Sequence, residues 1–352
     1  MDINTSFSTS LNLTVDNQTY GDTEEDIGEG VQMSVIVIHY VFTIVVPVCF
    51  AILIAIGTFG NFLVMYVIIT NKQMHTCTNI MLMNLAVADI AFLMICLPFQ
   101  AYKFASMAWD FSDMLCKFVQ YLLYVTCYVT IWTLVLIAII RYYTVVWKKS
   151  LDSQRHGDTR IRRTIYCCAA LWVLSSIGHV PTLLSHSVKT RGSYQYCGIN
   201  IESLEPIIIS FFVFAYVLPL LIITILYLRI VCFLRGVQLP SHRRHVVRAI
   251  RIISLVVVFF AISWLPYHLH AIVSLRVNIQ WDYYLVCRVL WYIMAYGNSV
   301  VNPIIYNFTS GEFRSAFYKA LCRFRAKYDE RRLSRRDTGQ APETQVLNVV
   351  QL

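Results

Sequence analysis

Seven stretches of this 352-residue chain, 31–71, 73–102, 118–140, 164–188, 206–228, 252–275 and 289–311, contain no Lys, Arg, Glu or Asp apart from one residue, Asp89. Crossing a hydrocarbon core about 30 Å thick takes roughly 20 residues of α-helix, so each stretch is long enough. Helix is the required form, because lipid offers no partner to a bare backbone N–H or C=O. The pattern predicts an all-α membrane protein, a bundle of seven transmembrane helices. Asp89 sits in the middle of the second stretch, where a charge costs about 2.5–3.5 kcal/mol even on the lenient insertion scale. It is therefore a candidate functional residue.

The composition, 57% hydrophobic and 14% charged, is too apolar for a soluble domain. A net charge of +9 suggests nucleic acid only until the charges are placed. Residues 1–40 hold seven acids and no Lys or Arg. Lys72, seven basic residues in 141–163, six in 229–251 and nine from 314 onward all fall on the opposite side. The positive-inside rule then predicts a multi-pass plasma-membrane protein with its N-terminus extracellular and its C-terminus cytoplasmic. The basicity reflects this topology and attraction to anionic membrane lipid; no nucleic-acid partner is expected.

The predicted outer tail carries three glycosylation sequons, at Asn4, Asn12 and Asn17. Asn307-Phe308-Thr309 also matches, but on the cytosolic side, where it stays bare. No charged start precedes a short apolar core, so the first span is expected to act as a signal-anchor. Four regions follow: an extracellular glycosylated tail (1–37), the seven-helix domain (38–308), a short amphipathic eighth helix (309–323) and a cytoplasmic tail (324–352).

Most of the eleven cysteines lie within spans and read as small packing residues. Cys116, just before the third span, and Cys197, between spans four and five, both fall on the oxidising side, where a disulfide is the natural pairing. Two unpaired thiols are the alternative. Thr309 and Glu312 have capping-box spacing, and Phe313 and Phe317 follow one turn apart, flanked by Arg314, Lys319 and Arg323. This describes a helix lying on the inner leaflet, with Cys322 placed for palmitoylation.

Several residues together carry a family resemblance. They are Gly60-Asn61 with Val64, Leu85-Ala86-Val87-Ala88-Asp89, Trp172, Pro219 with Tyr227, Phe260 with Ser263-Trp264-Leu265-Pro266, and Asn302-Pro303-Ile304-Ile305-Tyr306. In this order, across nearly the whole span region, the chain resembles the rhodopsin-like G-protein-coupled receptors. The resemblance implies a sodium pocket at Asp89, Thr130, Asn298, Ser299 and Asn302, with an allosteric sodium ion and no other cofactor or metal. An ionised acid in low dielectric does need a cation or donors nearby; a protonated Asp89 held by neutral hydrogen bonds is the alternative. It also implies a packing switch at Pro219, Ile131 and Phe260, a cavity floor at Trp264, and G-protein contacts at Arg141, Tyr142, Tyr227 and Tyr306. Pro219, Pro266 and Pro303 each remove a helical hydrogen bond and are candidate hinges.

The chain departs from the family at the inner end of span three, where Ile140 stands in place of the usual acid before Arg141. His245-Val246-Val247-Arg248, at the inner end of span six, supplies no acid either. A less restrained resting state with raised basal signalling is one reading; a compensating hydrogen bond or poorer folding are the others. Lys148 is a milder departure, where related receptors often have proline.

For the ligand, Gln120, Leu123, Tyr124, Cys127 and Tyr128 share one face of a helix. By family register that face lines the outer cavity, with Phe99, Gln100, Trp264, Tyr267, His268, Arg288, Tyr292 and Tyr296. Amine and opioid receptors place an acid where Leu123 stands, which disfavours a buried ammonium. Opsins place a lysine where Tyr296 stands, which excludes a photoreceptor. Aromatic walls with scattered donors suit a peptide. Cys96-Leu97-Pro98-Phe99-Gln100-Ala101, Lys117-Phe118-Val119-Gln120-Tyr121 and Tyr296-Gly297-Asn298-Ser299 look like the galanin and allatostatin-A receptors; Thr133-Leu134-Val135-Leu136 leans to the latter. Somatostatin, opioid-like and kisspeptin receptors share much of the pattern.

The resemblance implies a receptor, not an enzyme, that passes peptide binding to a heterotrimeric G protein of the inhibitory class, with arrestin and receptor kinase as further partners. In the tail, Ser334 matches a basophilic kinase site and Val350-Gln351-Leu352 could add as a strand to a PDZ domain. A transporter or channel is the competing class, but one mid-membrane acid and no visible repeat argue against it.

Overall fold

The computed structural model describes residues 40–106, 108–147, 157–235, 240–277, 282–309, 311 and 313–322. Seven long helices follow in order. They are α1 (Val41–Thr70), α2 (Cys77–Ser106), α3 (Asp113–Val146), α4 (Thr159–Ser185) and α5 (Ile201–Arg235), then α6 (Pro240–Val273) and α7 (Asp282–Thr309). α1 to α5 and the Ser254–Val273 part of α6 are long and apolar enough to cross a membrane. α7 matches them in length at 28 residues. Its polar Asn298 and Asn302 are buried inside the bundle rather than offered to lipid.

Local chemistry sets the helix starts. Thr76 accepts from the Asn79 amide at 3.2 Å and Ser112 from the Leu115 amide at 3.3 Å, each capping donors that the first turn leaves unpaired. Pro240 opens α6, where its missing N–H is of no consequence. Two widened π turns, Phe92–Cys96 in α2 and Val213–Val217 in α5, precede Pro98 and Pro219. The carbonyls four residues before these prolines, Met94 and Ala215, fall within the widened turns, the local adjustment that admits proline to a membrane helix.

Between α4 and α5, strands β1 (His186–Arg191) and β2 (Tyr194–Ile199) form an antiparallel hairpin, paired from His186↔Ile199 to Arg191↔Tyr194. Its two-residue turn requires a left-handed backbone, supplied by Gly192 at φ 59°. The Cys116–Cys197 disulfide ties β2 to the start of α3. The Trp109 amide donates to the Gln195 carbonyl at 2.8 Å, and the Val188 amide to Asp113 Oδ1 at 2.7 Å.

Packing divides into two main apolar clusters along the helix axes. The one nearer the hairpin centres on Phe50, Phe92, Phe104, Phe211, Phe260 and Trp264. The other centres on Val64, Met81, Leu85, Leu134, Ile223 and Tyr306. Phe313, Phe317 and Ala320 of the helical segment 313–322 bury into the second, and the Phe313 ring lies 5.8 Å from that of Tyr306. Polar side chains stitch the helices together. Asn61 Nδ2 donates to the carbonyls of Gly57 and Ser299, both at 2.9 Å. Asn84 donates to Thr133 at 2.9 Å and accepts from the Trp172 indole at 3.0 Å.

Candidate functional site

Beneath the hairpin lies a cavity of about 140 Å³. Its wall includes Gln100, Gln120, Leu123, Tyr124, Tyr267, Tyr292 and Tyr296, which are predicted ligand residues brought together from α2, α3, α6 and α7. The wall also includes Lys103, Phe104, His186, Gly198 and Ile199, which sequence reasoning missed. The last three belong to the hairpin: His186 falls in the stretch 164–188 that the sequence assigns to a membrane helix but starts β1 instead, and Gly198 and Ile199 follow that stretch in β2. Lys103 Nζ donates to the Cys197 carbonyl at 2.9 Å and so holds the roof to α2.

Below it, a void of about 30 Å³ is bounded by Leu123, Cys127, Trp264 and Tyr296 above and by Asp89, Thr130, Asn298 and Ser299 below. That is the space of about one water molecule. Asn302 Nδ2 donates to Asp89 Oδ2 at 3.0 Å. Asp89 Oδ1 is buried without a hydrogen-bond partner among the described residues. A buried carboxylate with one oxygen unanswered, beside two hydroxyls, is the arrangement that a small cation or a proton would complete. No group of three or more His, Cys, Asp or Glu among the described residues could hold a metal.

Rings connect the cavity to the floor. Tyr124 lies 5.1 Å from Phe211, Phe211 lies 5.8 Å from Trp264, and Trp264 lies 6.1 Å from Phe260. Phe260 and Ile131 are buried in the hairpin-side cluster and Pro219 is buried in α5. The Tyr216 hydroxyl ties α5 to α6 through the Ala261 carbonyl at 2.8 Å.

Three predicted ligand residues stand elsewhere. His268 is 1% exposed and is not in the cavity wall. One residue on from Tyr267, it is turned about 100° around α6. It faces Tyr216, Phe211 and Phe212 at 4.8, 5.1 and 5.6 Å. Phe99 packs on Phe111 and Trp109 beside the disulfide, at 5.3 and 6.1 Å. Tyr128 lines a separate crevice toward α4 and α5. The Arg288 side chain lies outside the described residues, as do Asn4, Asn12, Asn17, Ser334 and Val350–Leu352.

At the far end, Arg141 Nε and the hydroxyls of Tyr227 and Tyr306 are buried without hydrogen-bond partners among the described residues. Among those residues no ion pair holds Arg141, and Ile140 packs against the second cluster. Tyr142 ends the regular part of α3, and Pro303 lies within α7 against Gly60. Cys322 is exposed.

The family described as 7 transmembrane receptor (rhodopsin family) matches residues 60–306. The chain is 31% identical to the allatostatin-A receptor of Bombyx mori over 338 residues, covering 90% of this chain and 89% of that protein. It is 31% identical to galanin receptor 2a of Danio rerio over 294 residues, covering 80% of each. With somatostatin receptor type 5 of Bos taurus it shares 34% over 295 residues, 79% of this chain and 76% of the other. The chain belongs to the seven-transmembrane receptors of the rhodopsin family and is a receptor, not an enzyme.

Proposed function

We propose that this receptor binds a neuropeptide of the allatostatin-A or galanin kind and couples to a heterotrimeric G protein of the inhibitory class. The observation that carries the reading is the cavity beneath the hairpin. Tyr124, Tyr267, Tyr292 and Tyr296 supply aromatic walls, Gln100 and Gln120 supply amide donors and acceptors, and Leu123 supplies no charge. Such a mixture suits apolar and aromatic peptide side chains with a few polar groups. The similarity to the allatostatin-A and galanin receptors supports the same reading.

In this reading the hairpin side is extracellular and the 1–37 tail bears glycans at Asn4, Asn12 and Asn17. Peptide binding favours a helix arrangement that opens the far end around Arg141, Tyr142, Tyr227 and Tyr306 to the G protein. The ligand shifts that equilibrium only by its differential affinity for the two arrangements. The ring series from Tyr124 to Phe260 gives it a physical route. A sodium ion at Asp89, a palmitoyl group on Cys322, phosphorylation at Ser334 and binding of arrestin, receptor kinase or a PDZ domain complete the proposal.

The test is G-protein activation and cAMP inhibition in cells expressing the protein, with allatostatin-A and galanin peptides added. A saturable response to either peptide is expected. No response to either at normal surface expression overturns the ligand assignment.

A further inference from the structure

We propose that the end of the bundle far from the hairpin binds a single monovalent anion, chloride, against Arg141. Three buried donors there have no hydrogen-bond partner among the described residues: Arg141 Nε and the hydroxyls of Tyr227 and Tyr306. They come from α3, α5 and α7, and helical spacing brings them together. Arg141 stands one turn after Ile137, and Tyr227 one turn after Ile223, so each pair shares a helix face. Ile137, Ile223 and Tyr306 are buried members of the same apolar cluster. Arg141 and Tyr227 lie within electrostatic reach of each other.

These helices offer no acid at this end. Asp113 in α3, Glu202 and Glu205 in α5 and Asp282 in α7 all stand at the hairpin ends of their helices, and α6 contains no Asp or Glu. Asp89 is engaged by Asn302 at 3.0 Å, one turn before Tyr306. A guanidinium keeps its charge at any ordinary pH, so Arg141 does not escape the cost of burial by losing a proton. A counter-ion taken from solvent meets that cost.

The donor set selects the ion. A guanidinium only donates, and a tyrosine hydroxyl can turn its O–H toward an acceptor, so all three groups can donate to one centre. One positive charge balances one negative charge, whereas a phosphate or sulfate dianion would bury a charge with no partner. A spherical halide accepts from three helices at once, while a carboxylate is best met by the paired N–H groups of one guanidinium. Bound there, chloride ties α3 to α5 and α7 through charge-assisted hydrogen bonds. It can also leave, which a carboxylate built into the chain cannot. The inference depends neither on the identity of the peptide nor on that of the G protein.

The purified full-length receptor would be melted in mixtures of sodium chloride, sodium bromide and sodium gluconate at constant sodium and ionic strength, so that any sodium effect at Asp89 is held fixed. Chloride and bromide should raise the melting temperature saturably, by roughly 2 °C or more over the bulky gluconate. The rise should vanish in Arg141→Leu and in Ile140→Asp, which supplies a resident carboxylate. It should weaken in Tyr227→Phe combined with Tyr306→Phe, which keeps both rings and removes both hydroxyls. NMR line broadening of the chloride signal by receptor in nanodiscs should fall to that of empty nanodiscs in the same Ile140→Asp protein. Equal melting in chloride and gluconate, a rise that does not saturate, or an undiminished response in Ile140→Asp overturns the proposal. The tyrosine pair and Ile140→Asp decide the matter even if Arg141→Leu fails to fold.

Discussion

Gly57 is a point where a single methyl group tests the packing of α1 against α2 and α7. A Cβ there would stand 2.6 Å from Leu93 Cδ1 and 3.0 Å from Val300 Cγ2. Leu93 is fully buried, so its methyl cannot retreat toward lipid and must displace neighbours in the hairpin-side cluster. Overpacking of this kind costs about 1–3 kcal/mol. In a soluble protein a Gly→Ala change in a helix would offset about 0.5–1 kcal/mol of that through the unfolded chain. In a membrane the separated helices remain helical, and most of the offset disappears. Gly57→Ala should therefore lower stability by about 1–3 kcal/mol. Thermal unfolding of the purified receptor followed by tryptophan fluorescence should show a melting temperature lower by roughly 2 °C or more. Leu93→Ala alone should cost about 2–5 kcal/mol. In that background the added methyl meets no Cδ1, so the two changes should couple by well over the roughly 0.3–0.5 kcal/mol seen for independent sites. A Gly57→Ala protein as stable as the native one, or an additive double variant, would refute the reasoning.

Three further outcomes are expected. Cys116→Ser with Cys197→Ser opens a link spanning 81 residues, for which the chain-entropy model gives about 4–5 kcal/mol as an upper bound. The hairpin keeps its bonds to Trp109 and Asp113, so the bundle should still fold but melt earlier; an unchanged melting temperature counts against a structural role. Ile140→Asp should reduce ligand-independent G-protein activation by supplying a carboxylate beside Arg141, and unchanged basal activity sinks the unrestrained resting state. Replacing sodium by N-methylglucamine should lower the melting temperature of the native protein but not of Asp89→Asn; equal responses would remove sodium from the site.

The membrane made much of the fold legible, because lipid forces every apolar stretch into a helix. It did not mark the helix ends. α5 begins at Ile201 and carries Glu202 and Glu205 ahead of the apolar stretch, because uncharged sequence reports the hydrocarbon and not the hydrogen-bonded run. The charged residues just ahead of the apolar stretch 164–188 are likewise already helical, from Gly157. An acid in lipid must find partners, but that Asn302 is one of them was readable only through the family resemblance. The hairpin was not, because two six-residue strands leave little periodicity to detect. His268 shows the limit of register. Its place along α6 was evident, but the direction it faces depends on the rotation that puts Tyr267 in the cavity.

The division of the interior into two apolar clusters bears on how this receptor could be engineered. Their buried members do not overlap, and Leu220 is a partly buried residue that packs against both. Changes well inside different clusters are far apart and share no partners, so their effects on stability should sum. Improving substitutions could therefore be screened separately in each half and then combined without a second round of selection. Changes at Asp89, Asn61 or Asn302 would not follow that arithmetic, because each touches more than one helix.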